Sequence, residues 1–146
     1  MQIRAIESGD YDEWLRLRRA LWPECATSTL EAEVADILAD LGNQAVFVAV
    51  RPTGSLGGFV EASIHPHAIG CDTRPVGYVE GWYIDQDLRG LGIGRRLLTA
   101  AETWARSKGC TEIASDTLSD NESGLAAHRA CGYTITGSLI HFKKRL

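Results

Sequence analysis

The chain has 146 residues and a formal net charge of −4 at pH 7, with 45% hydrophobic and 23% charged residues. This length and composition are typical of a single globular domain over residues 1–146. The weak negative charge argues against a nucleic-acid partner, and no apolar run approaches the ~20 residues that a membrane-spanning helix needs.

The first half of the chain predicts one strand, two helices and a hairpin. Apolar residues recur with helical spacing in two stretches, and each stretch follows a Ser or Thr that is a candidate helix cap. The next two apolar stretches flank a turn rich in Gly and Pro, which is typical of an antiparallel hairpin. The predicted elements are strand Gln2–Ile6, helices from Ser8 to Leu21 and from Thr29 to Leu41, and strands Ala45–Val50 and Leu56–Ile64.

The second half predicts a strand–helix–strand unit followed by a helix and a closing hairpin. An irregular segment, His65–Pro75, comes first, and its two histidines lie either along a ligand cleft or at a subunit contact. Without neighbouring Cys or carboxylate ligands they do not predict a metal site. The predicted elements are strand Val76–Ile84, a helix ending at Ser107, strand Thr111–Asp116, a helix from Asn121 to Cys131, and a hairpin of Tyr133–Thr136 with Leu139–Lys143.

The four cysteines are widely scattered, and none forms a C-x-x-C pair. This spacing predicts reduced thiols and neither a zinc site nor a redox motif. The first residues lack the pattern of a secretory signal peptide. We therefore expect a cytoplasmic protein without a metal ion.

A glycine-rich turn, Arg89-Gly90-Leu91-Gly92-Ile93-Gly94, joins the strand ending at Ile84 to the next helix. Glycines let the backbone turn sharply and bring its amides close to a ligand, and such amides form an anion-binding nest. The positive end of the helix faces the same place. A tight connection that binds no ligand is the alternative interpretation. The turn lacks the Gly-Lys-Ser/Thr ending of a P-loop and the glycine spacing of a dinucleotide fold.

The pattern Arg-x-x-Gly-x-Gly between a strand and a helix closely resembles the coenzyme A signature of the GNAT superfamily of N-acetyltransferases. The resemblance implies an α/β (α+β) fold with a mixed, mostly antiparallel sheet, one parallel splayed strand pair and about four helices. It also implies acetyl-CoA as cosubstrate, with its pyrophosphate on the turn and its pantetheine arm along the preceding strand. The implied cofactor-binding residues are Trp82, Tyr83, Ile84, Arg89, Leu91, Gly92, Ile93, Gly94, Arg95, Arg96 and Asn121, the last of which is equally well explained as a helix cap.

Two carboxylates stand where the thioester would end. Strand alternation puts Tyr78, Glu80 and Trp82 on one face, and Asp116 ends the next strand at the edge where ligands collect in a parallel pair. Glu80 is a candidate for holding a substrate ammonium and taking its proton, directly or through water. The structural alternatives are an ordinary strand carboxylate at Glu80 and a loop cap at Asp116.

A wider set of segments resembles the bacterial aminoglycoside 6′-N-acetyltransferases: Leu21-Trp22-Pro23, Glu61–Ile64, Gly70-Cys71-Asp72, Val79-Glu80-Gly81, Lys108-Gly109-Cys110, Ala114–Thr117 and Phe142–Arg145. The resemblance implies acetyl transfer from acetyl-CoA to the 6′-amine of an aminoglycoside antibiotic, and a homodimer. It implies that Trp22, Glu80 and Asp116 contact the drug, with Asp116 and Glu80 serving the reacting amine as catalytic residues. Asp72 is a lesser candidate. A core role is the alternative for Trp22.

The superfamily often has a Tyr four residues before a Gly-aromatic pair, where it protonates the departing thiolate, and this chain has His128 before Gly132-Tyr133. A histidine is suited to donate a proton near neutral pH, although a merely packed or hydrogen-bonded histidine is the alternative. Two other functions stay open: a GNAT enzyme for another small amine, polyamine or protein N-terminus, and a non-catalytic module that binds acetyl-CoA or drug.

Overall fold

A computed structural model describes residues 1–146, and its centre is a five-stranded sheet with strand order β1-β2-β3-β4-β5. The first four strands pair antiparallel, and β4 and β5 pair parallel. The strands are β1 (Gln2–Ala5), β2 (Gln44–Val50), β3 (Leu56–His65), β4 (Val76–Ile84) and β5 (Ile113–Ser115).

Four helices cover the sheet: α1 (Tyr11–Leu21), α2 (Thr27–Leu38), α3 (Ile93–Ser107) and α4 (Glu122–Ala130). The core has two parts, one on each face of the sheet. On one face Trp14 and Leu17 of α1 pack with Phe59, and on the other Leu97 and Leu98 of α3 pack with apolar residues of β2 to β4. None of these helices is long and apolar enough to span a membrane. The predicted GNAT architecture, including the single parallel pair, is confirmed through α4.

A β-bulge at Glu80 changes the faces of β4. Glu61 pairs with Gly81 and Ala62 with Val79, so Glu80 is the extra residue. An extra residue breaks the two-residue alternation. Trp82 consequently packs against the start of α3, whereas Gly81 faces Trp22 on the α1 side. The prediction that Trp82 shares the face of Glu80 is wrong for this reason.

The predicted closing hairpin is also wrong. Residues 133–146 form neither strand, and apolar side chains of this segment are exposed, with Ile140 at 77% and Phe142 at 92% of full exposure. The segment contacts the rest of the chain at Tyr133, whose hydroxyl donates to Glu102, and at Thr136, whose side chain lies against Gly70 of the loop after β3. Alternating apolar residues form a stable strand only where a neighbouring strand and an apolar surface receive them, and the three-residue β5 offers little of either.

Smaller differences concern element ends. Ser8 lies in a short 3₁₀ turn that precedes α1, and Ala26 is the residue before α2, so neither Ser8 nor Thr29 caps a helix. Strand β5 covers only part of the predicted Thr111–Asp116. The strand–helix–strand unit itself, β4-α3-β5, forms as predicted.

Candidate active site

The glycine-rich turn leaves six consecutive backbone N–H groups, those of residues 90 to 95, without a hydrogen-bond acceptor in the protein. The first amide of α3 with a partner is that of Arg96, which donates to the carbonyl oxygen of Gly92 at 3.2 Å. Gly90 and Gly92 have φ angles of 77° and 79°, which only glycine adopts readily. Both face open space, so the turn is a cradle of free donors at a helix N-terminus that fits a pyrophosphate.

The arginines near this cradle are turned to other partners. Arg89 Nε donates to the carbonyl oxygen of Ile84 at 3.0 Å, and its guanidinium lies 5.6 Å from the Tyr83 ring centroid. Arg95 donates to the carbonyl oxygen of Ala130 at the end of α4, and Arg96 lies on the opposite side of α3 near β1. The amides of the turn, rather than these side chains, therefore supply the donors for an anion.

The edge of β4 is open beyond Val79. Strand β5 pairs only with Gly77–Val79, and no strand follows on that side of residues 80 to 84. Backbone N–H and C=O groups on an open edge pair readily with an extended ligand. This is the splay that the sequence predicts, and it places Trp82, Tyr83 and Ile84 beside the glycine-rich turn. Gly94 is in close contact with Trp82, since a Cβ there would lie 2.9 Å from the indole ring.

A cleft of about 420 Å³ lies on the other face, between α1, α2 and strands β2 to β4. Its charged lining is mostly acidic: Glu33, Asp36, Glu61 and Glu80, against the single cation Arg18. Carboxylates that line a cleft raise the local concentration of cations and strengthen their hydrogen bonds. The cleft is therefore suited to a ligand with several ammonium groups.

Arg18 and Glu61 form a buried ion pair beneath the cleft. Arg18 Nε donates to Glu61 Oε1 at 2.7 Å, and both residues are 3% exposed. The indole Nε1 of Trp14 donates to the same oxygen at 2.9 Å. Burial raises the pKa of the Glu61 carboxyl, while Arg18 and Trp14 oppose that rise by donating to the carboxylate. The Arg18 guanidinium lies 4.8 Å from the ring centroid of Trp22, and this contact holds the Trp22 side chain, which lines the cleft, in place.

Glu80 is held through one of its two oxygens. Oε1 accepts a hydrogen bond from Ser63 Oγ at 2.5 Å and lies 2.7 Å from His65 Nε2. Oε2 has no hydrogen-bond partner in the protein. The side chain is about 40% exposed, and Glu80 is one of the residues that line the cleft.

Asp116 and Glu80 are joined through two aromatic side chains. The hydroxyl of Tyr78 donates to Asp116 Oδ2, and the His65 ring stacks on Tyr78 with 4.5 Å between ring centroids. Burial and, second to it, the Asp116 carboxylate raise the pKa of Tyr78, so the phenol stays protonated and remains a donor. The structure thus brings Glu80 and Asp116 to one region, as the sequence predicts, with Tyr78 and His65 between them.

Glu112 binds the backbone of the loop that carries Asp72. The backbone N–H groups of Asp72 and Thr73 donate to Glu112 Oε1 at 2.9 and 2.8 Å. The hydrogen bond from the Thr73 hydroxyl, and after it these two backbone bonds, lower the pKa of Glu112. The Asp72 carboxylate makes no hydrogen bond or ion pair within the protein. Asp72 is therefore free to meet a ligand, although it is not part of the lining of the cleft.

His128 lies between β4 and β5, where the two strands separate. Its Nδ1 is 2.7 Å from the carbonyl oxygen of Gly124, so Nδ1 carries the proton and Nε2 accepts from Ser115 Oγ at 2.8 Å. The ring meets that of Trp82 edge to face, 5.3 Å between centroids. Asn121 acts as the N-cap of α4, because its side chain accepts from the Gly124 amide at 3.0 Å.

Comparison with known proteins decides the family. The model of the acetyltransferase (GNAT) family matches residues 11–133. The chain belongs to the GNAT family. The GNAT relatives include aminoglycoside N(6′)-acetyltransferases type 1 of Klebsiella aerogenes and Stenotrophomonas maltophilia, each 40% identical to this chain. The matches cover 99% of this chain and 96% and 93% of those two proteins.

Solved GNAT structures agree with this assignment. The apo aminoglycoside 6′-N-acetyltransferase AAC(6′)-Ig of Acinetobacter haemolyticus matches with a TM-score of 0.92 and 31% identity over 100% of this chain and 99% of that one. AAC(6′)-Iy in complex with the bisubstrate analogue CoA-S-monomethyl-acetylneamine matches with a TM-score of 0.91 and 34% identity over 99% and 98% of the two chains. The resemblance inferred from the sequence motifs is confirmed.

Sequence reasoning named His65 as a candidate for the ligand cleft, and Ser63 and Ser115 as parts of resembling segments, but it did not detect which side chains these residues meet. Ser63 and His65 come to Glu80 only through pairing of β3 with β4, and Ser115 meets His128 across a loop and a helix turn. Arg18 and Glu33 have the spacing of ordinary helix residues. A buried charge is the signal that would have singled out Arg18, and burial is a tertiary property.

Proposed function

We propose that this chain is an aminoglycoside 6′-N-acetyltransferase that transfers acetyl from acetyl-CoA to the 6′-amine of an aminoglycoside antibiotic. The observation that carries the proposal is that three features meet at β4: a cradle of free amides after the strand, an open edge at residues 80 to 84, and an acidic cleft lined by Glu80. The relatives named for this reaction match nearly the whole chain, which supports the same acceptor here.

For the donor, we assign the pyrophosphate to the amides between Leu91 and Arg96 and the pantetheine arm to the open edge at Trp82–Ile84. A thioester bound in this way supplies the activated acetyl group. The N–H groups on the open edge of β4 are suited to polarise its carbonyl, because fixed donors in a dry site stabilise developing negative charge. We place Asn121 at the rim of this site, where it shapes the start of α4.

For the acceptor, we assign the ammonium groups of the drug to Glu80, Asp116 and Asp72, and a ring face to Trp22. Glu80 Oε2 accepts a proton from the reacting ammonium, directly or through one water, which leaves the nitrogen lone pair free to attack. The attack takes place with both substrates bound. Free carboxylates beside an open edge support this arrangement because they both attract and orient the amine.

For the leaving group, we assign proton delivery to His128 together with Ser115. The hydrogen bond between Ser115 Oγ and Nε2 supports a short path from the imidazole to the place where the two strands separate. When His128 is protonated at Nε2, it donates to Ser115, whose hydroxyl passes a proton to the departing sulfur. Replacing His128 by Gln then lowers kcat more for a poor leaving group than for a good one.

We further propose a homodimer in which a second copy covers the segment from Tyr133 to Leu146. The support is its run of exposed apolar side chains, Ile135, Leu139, Ile140 and Phe142, which is unusual for a free surface. Light scattering then gives twice the chain mass, and Ile140→Asp with Phe142→Asp gives a monomer. We also infer a cytoplasmic location, which fits the four free cysteines.

The deciding experiment measures thiol release from acetyl-CoA with kanamycin A and with an analogue that has a 6′-hydroxyl in place of the 6′-amine. We expect rapid turnover of the first only. Spermidine and a peptide with a free N-terminus serve as further acceptors. Faster turnover of either of these than of kanamycin A contradicts the proposal, as does equal turnover of the two drugs.

A further inference from the structure

His65 is the neighbour that determines how Glu80 is presented to the cleft. Its Nε2 lies 2.7 Å from Glu80 Oε1 and 3.0 Å from Ser63 Oγ. A separation of 2.7 Å between these two acceptor-capable atoms requires one proton between them. With the carboxylate ionised, that proton is on Nε2, and the neutral imidazole donates to Oε1.

The neighbouring Tyr78 holds the His65 ring in this orientation. It stacks on Tyr78, with 4.5 Å between centroids and 18° between planes, and Tyr78 is itself fixed by its hydrogen bond to Asp116. His65 Nδ1 makes no hydrogen bond within the protein, and the side chain is 36% exposed. The ring is thus rigidly placed toward Glu80 while its other nitrogen is open to take up a proton from solvent.

We propose, resting on the function proposed above for Glu80, that His65 is a positioning residue whose neutral form aims Glu80 Oε2 at the acceptor amine and whose protonation turns the site off. In the active form, the ammonium N–H bond breaks, the proton goes to Oε2, and the electron pair stays on nitrogen. Ser63 and His65 both occupy Oε1, so only Oε2 remains for this step.

Protonation of His65 opposes the reaction in two ways. An imidazolium on Oε1 makes the carboxylate a weaker base, and it places a positive charge where the drug ammonium must bind. The charged and titratable groups facing the ring are Glu80 and Tyr78 from β4, with Asp116 behind Tyr78. On the β2 side the residue opposite Ser63 is the uncharged Gln44, which is bound to Asp40. No Lys or Arg makes a hydrogen bond or ion pair with His65, Glu80 or Tyr78, so protonation of His65 adds the one positive charge in direct contact with Glu80.

The test compares His65→Gln with the wild type from pH 5.5 to pH 8. Gln places an amide N–H where Nε2 lies and cannot be protonated in this range. We expect kcat/KM for kanamycin A to be within about threefold of wild type at pH 8. As the pH falls, the ratio of kcat/KM of the variant to that of the wild type then rises, by up to about tenfold per pH unit, because the wild-type imidazole takes up a proton and the Gln side chain does not. Taking this ratio cancels the titration of the drug itself.

Two controls separate positioning from general damage. His67→Gln changes an exposed histidine in the loop just after β3 that makes no hydrogen bond, and its ratio to the wild type does not change with pH. His65→Ala removes the donor and lowers kcat at every pH, with little change in KM. Two results overturn the proposal: a ratio of kcat/KM for His65→Gln to wild type that does not change with pH, or equal losses of activity in the Gln and Ala variants at pH 8.

Glu80→Gln distinguishes failure of this inference from failure of the proposed function. If Glu80→Gln keeps full activity, or if no aminoglycoside is acetylated by the wild type, the function assigned to Glu80 is wrong. The His65 contact is then examined by ¹⁵N spectra of the imidazole, in which the wild type shows Nε2–H, and Glu80→Ala, which removes the acceptor oxygen, loses that preference. An Nδ1–H form in the wild type overturns the inference whatever the activity.

Discussion

The buried pair of Arg18 and Glu61 gives the sharpest stability prediction. Glu61→Gln keeps the shape of the side chain but removes its charge, and it turns an amide toward the donors of Arg18. Arg18 is then a buried cation whose remaining ionic partner is Glu33, a side chain that is 48% exposed. Leaving a buried charge without its partner costs about 3–5 kcal/mol.

That cost is large compared with the total stability of about 5–15 kcal/mol for a domain. At about 2–4 °C per kcal/mol for a chain of this size, we expect Tm to fall by roughly 6–20 °C. The assay is urea unfolding followed by circular dichroism and tryptophan fluorescence, with thermal melts in the same buffer. The slope of the free energy of unfolding against urea concentration is the same in variant and wild type if only the stability changes.

A matched control is Glu33→Gln, which breaks the more exposed ion pair of the same arginine. Solvent screens such a pair, and we expect a loss of about 0–1 kcal/mol. The double variant Arg18→Met with Glu61→Gln removes both charges and recovers at least ~1 kcal/mol relative to Glu61→Gln alone. Equal losses for Glu61→Gln and Glu33→Gln, or no recovery in the double variant, refute the argument that an unpaired buried charge carries the cost.

Three other substitutions test the donor site, the acceptor site and the pH dependence of folding. Gly92→Ala forces a side chain into a left-handed backbone at a cost of roughly 1–2 kcal/mol, so steady-state kinetics should show a higher KM for acetyl-CoA with KM for the drug little changed. Asp116→Asn still accepts from Tyr78 but loses its charge, and we expect kcat/KM for kanamycin A to fall about 10- to 100-fold while the melting temperature holds; an unchanged rate removes Asp116 from the site. Arg4 lowers the pKa of the Asp10 carboxyl, so that pair stabilises the fold above the unfolded-state pKa of about 3.9 and is lost as the pH falls through the lower folded value. The free energy of unfolding, measured from pH 6 to pH 2, should therefore fall less steeply with decreasing pH for Asp10→Asn than for the wild type. An identical slope for the two proteins contradicts that account.

The sequence by itself determined the elements that depend on local chemistry. The glycines between β4 and α3, the apolar period of α3 and the Gly-Pro turn between β2 and β3 act within a few residues. They correctly predict the strand–helix–strand unit and the hairpin of β2 with β3, and the turn before α3 has the free amides that the predicted anion site needs. The order of the strands placed Glu80 and Asp116 near one another, and the motif resemblance added the family.

Tertiary structure alone decided how those carboxylates are presented. Alternation along β4 misplaces Trp82, because the bulge at Glu80 arises from pairing with β3, which the sequence of β4 does not encode. The apolar residues from Tyr133 onward predict strands, yet strand formation depends on a neighbouring strand and a surface to pack against, and this segment has neither. His65 reaches Glu80 across the sheet for the same physical reason: local residues choose an element, and contacts between distant elements fix which side chains meet.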